Sequence, residues 1–176
     1  MRFAILVLAA GLTGCAPVSI HPLYTSQDVV ADSAFEGNWA DDDDQIWQIQ
    51  KSGDGYDVTA FHAGDSPATE VFNVHLLRLK DVEFVDATSK SNPNLTIAGH
   101  LIAKVSLQGD DLRVATFAED WLKKAVQSGT APQNIAGEDG QVILIAPTRD
   151  LQRFVLQHAG DADAWDEEAG RFHRLH

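Results

Sequence analysis

The side chains able to do chemistry in this chain are few and widely spaced. Asp41, Asp42, Asp43 and Asp44 run consecutively. A hard cation such as calcium takes about six to eight oxygen ligands. A calcium loop needs alternating donors, a glycine turn and a distal bidentate glutamate, and that spacing is missing here. Neighbouring side chains on extended backbone also diverge, so the run predicts a solvated hairpin tip. His75 and His100 fall in strand-like runs and could face each other as half of a zinc site, which would need a third or fourth ligand. As strand histidines they are expected to be buried or half-exposed. His173 and His176 lie in an acidic C-terminal stretch. No Gly-x-Ser-x-Gly elbow and no His-Glu-x-x-His pair occurs. The sequence therefore offers no catalytic residues, no metal ligands and no cofactor motif. Cys15 is the sole cysteine, so the chain has no partner for a disulfide within itself.

The aromatic residues give the other candidate site. Trp39, Trp47, Phe61 and Phe72 sit in predicted strands and could line a pocket for an apolar ligand. The competing expectation is that they simply fill a core.

The elements that would position these residues are mostly strands. Alternation of apolar and polar residues from Phe35 onward, the Gly53-Asp54-Gly55 turn and the Tyr56–Phe61 run read as hairpins. Further strands are predicted at Val71–Leu79, Val82–Asp86, within Leu95–Leu107 and at Leu112–Thr116, with turns at Lys80-Asp81 and Gln108-Gly109-Asp110 and a loop at Ser91–Asn94. Residues 118–128 place Trp121, Leu122, Ala125 and Val126 on one side of a helix, and Gly129 fits the position just past its end. Gln141–Ala146 reads as a short strand. A second helix carries Leu151, Phe154, Val155 and His158, with Thr148 as its expected N-cap. The fold class is thus α+β and β-rich: a curved antiparallel sheet or partial barrel of about seven strands, near the eight of a small closed barrel, with two helices in the C-terminal half. Residues 35–160 form the predicted globular domain, and 161–176 read as an acidic, flexible tail.

Charge and the N-terminus bound the function. The formal net charge is −13, which excludes nucleic acid, whose recognition needs cations to displace counterions from phosphate. Met1-Arg2 is followed by the apolar run Phe3–Leu12, about half the ~20 residues that a spanning helix requires. It reads as an export signal over residues 1–14. Residues 15–34, with Pro17 and Pro22 and no helical period, read as a tether. Residues 16–34 could extend about 60 Å at ~3.3 Å per residue. Leu23 and Tyr24 are the side chains expected to pin it to the domain.

Leu12-Thr13-Gly14-Cys15 resembles the lipobox of bacterial lipoproteins. That resemblance implies lipidation of Cys15 with cleavage before it, and a palmitate-type acylated N-terminus holding the chain to a bilayer. Ala16, in place of the aspartate that retains lipoproteins at the inner membrane in many enterobacteria, implies the periplasmic face of the outer membrane if the source is Gram-negative. Gly37-Asn38-Trp39, preceded by Phe35, resembles the GxW signature of lipocalins and related calycin barrels, whose tryptophan plugs one end. The lipobox, His21-Pro22-Leu23-Tyr24, Gly37-x-Trp39, Ser106–Leu112, Asp120-Trp121-Leu122 and Leu151–His158 together resemble a family of small bacterial lipoproteins without an assigned activity. These readings point to a non-enzymatic binding or interaction module whose partner is an envelope protein or a small apolar ligand. The alternatives are an envelope hydrolase with residues from distant strands, or a purely structural assembly factor. A hollow sheet interior would favour the binder and a filled one the structural role.

Overall fold

A computed structural model describes residues 17–62, 70–90, 99–137 and 141–176. The predicted export signal, Cys15, Ala16 and the predicted 91–94 loop lie outside the described residues. Among the described residues eleven strands form one sheet: β1 (Val18–Ser19), β2 (Gly37–Ala40), β3 (Gln45–Ser52), β4 (Gly55–His62), β5 (Glu70–Leu79), β6 (Val82–Ser89), β7 (His100–Gln108), β8 (Asp111–Phe117), β9 (Asn134–Ala136), β10 (Val142–Leu144) and β11 (Trp165–Leu175). Two helices, α1 (Glu119–Gln127) and α2 (Thr148–Gln157), lie between β8 and β11.

The sheet closes. β2 to β8 run antiparallel in sequence order, β6 pairs with β7, and β11 bridges β8 and β2, so eight strands form a lipocalin-like barrel. Closure removes the exposed edges that a partial barrel would leave. One end, here the lower, carries the 53–54, 80–81 and 109–110 turns and the start of β2. The upper carries the 41–44 tip, the ends of β4 and β6, the starts of β5 and β7 and the helical segment.

The eighth barrel strand corrects the reading of residues 161–176 as a flexible tail. β11 pairs along β8 from Trp165 to His173 and along β2 from His173 to Leu175. Its register shifts between Asp166 and Gly170. The inward positions after that shift are Gly170, Phe172 and Arg174, only one of which carries a large apolar side chain. A bulge and a single apolar anchor leave little alternation to detect.

Strand alternation produces two apolar clusters. Inward side chains, among them Trp39, Ile49, Tyr56, Phe72, Val85, Leu112 and Phe172, cluster inside the barrel. Outward Leu77, Phe84, Ile102, Ala115 and Phe117 meet Leu122 of α1 and Leu151, Phe154 and Val155 of α2. Both helices are thus held by one amphipathic face against the barrel wall. Gly129 ends α1 at φ 73°, as its position predicts. Thr148 is not the cap of α2: Pro147 occupies that place, and Thr148 Oγ1 donates to Pro22 O at 2.7 Å.

That bond belongs to a second correction. Residues 17–34 are not a free tether. Leu23 is fully buried, its N–H donates to Asp86 Oδ2 at 2.7 Å, and its carbonyl accepts from Gln152 Nε2 at 2.8 Å. Val30 N donates to Leu76 O at 2.9 Å and Asp32 N to the Tyr56 hydroxyl at 2.8 Å. Leu23 and Tyr24 do pin the segment, so completely that it becomes a strap across the barrel and the ~60 Å reach is unavailable. An apolar side chain placed in the outer core, with its flanking backbone bonded to side chains, outweighs the chain entropy that would favour a loose linker.

Candidate ligand cavity and the outer His–Asp cluster

The lower end of the barrel is plugged. Trp39 is fully buried, and its indole N–H donates to Phe35 O at 3.1 Å. The Arg174 guanidinium lies 4.1 Å above the Trp39 ring and donates to the carbonyl oxygens of Glu36 at 2.7 Å and Ala34 at 2.5 Å. Gly37 adopts φ 133°, and a Cβ there would come within 2.6 Å of Arg174 Nη1. The positive φ is what requires glycine here, and the obstacle a Cβ would meet is the Arg174 side chain, not neighbouring backbone. Arg174 escaped the sequence reading because it lies in the stretch taken as a tail.

Above this plug the interior is not fully packed. A cavity of about 50 Å³ is lined by Phe35, Trp47, Phe72, Leu101, Val105 and Thr116, among others, and none of its lining side chains titrates. Trp47 is half-buried and packs against Phe172 at a centroid separation of 4.2 Å. Its indole N–H donates to the Gln45 side chain at 3.1 Å.

Of the four aromatic candidates, Trp47 and Phe72 line this cavity. Trp39 does not: it belongs to the plug beneath. Phe61 does not either, because Tyr56, Val58 and Ala60 take the buried positions of β4 and Phe61 falls on the outward face opposite Ile46. The Asp41–Asp44 tip is solvated except for Asp41, half-buried, whose Oδ1 accepts from the backbone N–H groups of Asp43 and Gln45 at 3.0 and 2.8 Å. Asp41 thus serves as an internal cap for the turn, and Asp44 takes φ 61° there.

His75 and His100 both lie outside the barrel beneath the strap, on either side of β6. Asp86, 1% exposed, stands between them. His100 Nδ1 is 2.6 Å from Asp86 Oδ1, while the other Asp86 oxygen receives the Leu23 N–H. His75 stacks on Tyr24 at 4.3 Å, and its Nε2 is 3.4 Å from Asp54. Burial holds the Tyr24 phenol above its usual value, helped by the negative charges of Asp86 and Asp54. The histidines do not meet as a ligand pair; the cluster fastens the strap. His173, in β11, lies 2.6 Å from Asp111, and His176 lies 3.4 Å from Asp110.

A larger outer concavity of about 500 Å³ runs past Arg78, Asp81, Glu83, Lys104, Arg113 and Glu167. Its charges balance, and most are spent on each other: Arg78 reaches Glu83 at 2.6 Å and Lys104 reaches Glu167 at 3.3 Å. It is a wet groove, and the apolar interior is the better candidate for selective binding.

Comparison of the chain with protein families, with characterised proteins and with solved structures returns no match. Among the described residues no helix is long and apolar enough to cross a membrane.

Proposed function

We propose that this chain is an envelope lipoprotein, anchored to the outer membrane through acylated Cys15, whose barrel is a non-enzymatic module binding a narrow apolar group. The observation that carries the binding reading is the apolar cavity, free of titratable lining, inside a closed barrel. Its chemistry suits hydrocarbon: the end of an alkyl chain, or an apolar side chain of an envelope protein. Drug-sized ligands occupy roughly 300–1,000 Å³, so about 50 Å³ admits only a few carbons unless Trp47 leaves Phe172. The same small volume favours a second reading, in which the barrel is a filled scaffold that only spaces or assembles other components.

The two are separated with the unlipidated Cys15→Ser chain and a fatty acid brominated at its terminal carbon. Binding predicts saturable quenching of Trp47 fluorescence, lost in Ala103→Leu, which fills the cavity. No quenching in either protein would leave the scaffold reading. The anchor is tested by metabolic acyl labelling of the native chain. Cys15→Ser should lose the label and leave the membrane fraction, and its retention at unchanged strength in high salt would refute the anchor. Recovery of the native protein chiefly with inner membranes would refute the sorting.

A further inference from the structure

The barrel interior does not end at the barrel. At the upper end, β1 pairs with the start of β7, β10 pairs with β1, and β9 with β10. One cross-strand row runs Val74, Ala87, Leu101, Val18, Ile143, Ile135. Residues paired directly across strands present their side chains to the same face. Val74 is buried in the barrel core and Leu101 lines the cavity, so this face of the extension continues the barrel's inner surface. Exposure rises along it: Leu101, Val18 and Ile143 are half-buried, and Ile135 is 51% exposed. Four adjacent strands carry the stripe across about 14 Å at ~4.8 Å per strand. The opposite face differs. There Ser19 and Leu144 are buried, and Leu144 joins the outer core with Leu23 and Leu151.

Among the described residues, the strands β9 and β10 that carry the outer half of the stripe are uncharged. Residues 133–137 and 141–146 hold no charged side chain, in a chain of net charge −13. Glu138 and Asp139, which follow β9 and precede β10 in the sequence, lie outside the described residues. Cys15 is three residues before Val18, hence within about 10 Å of the stripe even when fully extended. Because the strap is docked from Pro17 onward, the lipid cannot hold the domain at a distance.

We infer that the stripe Leu101–Val18–Ile143–Ile135 is the surface on which the anchored domain rests on the bilayer, so that the barrel cavity communicates with membrane hydrocarbon rather than with bulk water. The inference rests on the acylation of Cys15 proposed above. The acidic remainder of the surface is repelled by anionic headgroups, which leaves the apolar face of β9 and β10, uncharged among the described residues, as the side that can approach them. An alkyl chain entering the cavity would then come from the bilayer along the stripe.

The test uses the full, acylated chain. Its own cysteine is consumed by lipid, so Ile135→Cys provides a single thiol for an environment-sensitive dye. Leu175→Cys is the matched control, 47% exposed and at the lower end. Both are reconstituted in phosphatidylethanolamine–phosphatidylglycerol vesicles, with and without phospholipid carrying a nitroxide just below the headgroup. The expected result is a blue-shifted dye at 135 that the nitroxide quenches, with neither effect at 175. Equal behaviour at the two positions in membrane-bound protein would overturn the seat and leave the anchor standing. A blue shift at 135 without quenching would mean that the protein's own acyl chain or a second copy covers the stripe, and would also overturn it. Mass spectrometry showing no acyl group on Cys15 would refute the anchor itself, and the seat with it.

Discussion

Replacing Trp39 by alanine tests the lower plug, because three interactions converge on one side chain. The indole is fully buried, it donates to Phe35 O, and it lies beneath Arg174. Truncating a buried tryptophan costs about 3–5 kcal/mol from lost burial and the cavity left behind. Folded domains are stable by only about 5–15 kcal/mol, so the variant should sit near the edge of folding. At roughly 2–4 °C per kcal/mol for a domain of this size, the melting temperature should fall by about 6–20 °C. The guanidinium contact is partly desolvated, and such contacts contribute about 0.5–2 kcal/mol. A cycle of Trp39→Ala, Arg174→Ala and the double variant in urea unfolding should therefore show a coupling of about 1 kcal/mol. Substitutions at Asp42 and Asp43, exposed at the hairpin tip, should shift stability by less than about 0.5 kcal/mol. If Trp39→Ala melts with the parent, or the coupling is absent, the plug does not hold the barrel as argued. If instead the aspartate variants are the damaging ones, and only with calcium present, the tip is a metal site.

Three other perturbations probe closure and the strap. Deleting residues 165–176 should abolish cooperative unfolding, since it opens the barrel between β8 and β2 and removes Phe172 and Arg174; a full-length-like melt of the truncated chain would mean that the segment is dispensable. Asp86→Ala should destabilise by about 3–5 kcal/mol by stranding the Leu23 N–H and breaking the His100 pair, and should speed hydrogen exchange in residues 17–30; slow exchange there would contradict the latch. Burial raises the phenols of Tyr24 and Tyr56. Each folded-state value lies above the unfolded one, so the stability they contribute is present below about pH 10 and is lost as pH rises from there through the folded values. Alkaline denaturation should accordingly be shifted to higher pH in Tyr24→Phe, and an unshifted curve would deny Tyr24 that role.

Much of the barrel was legible in the residues. The strands from Gly37 to Phe117 alternate strongly, and their tight turns carry glycine or aspartate where the backbone must reverse, so local pattern and tertiary burial agree. The helical spacings of Trp121–Val126 and Leu151–His158 were equally direct. Leu23 and Tyr24 stood out as apolar residues in a segment that otherwise resembled a linker. What the sequence left open depends on partners remote along the chain. β11 has too few inward apolar side chains to announce itself, and it is a strand because β8 and β2 offer it two open edges. β1 and β9 are too short for periodicity to register. Whether Phe61 lines the interior or faces outward is a question of parity, and a one-residue change of register would reverse it. Arg174 reaches Trp39 only once the barrel has closed. Composition and local period therefore determined what kind of sheet this chain makes, because those follow from neighbouring residues. Closure, the docking of the strap and the position of the cavity were decided by contacts between residues as far apart as Ala34 and Arg174, which exist only in three dimensions.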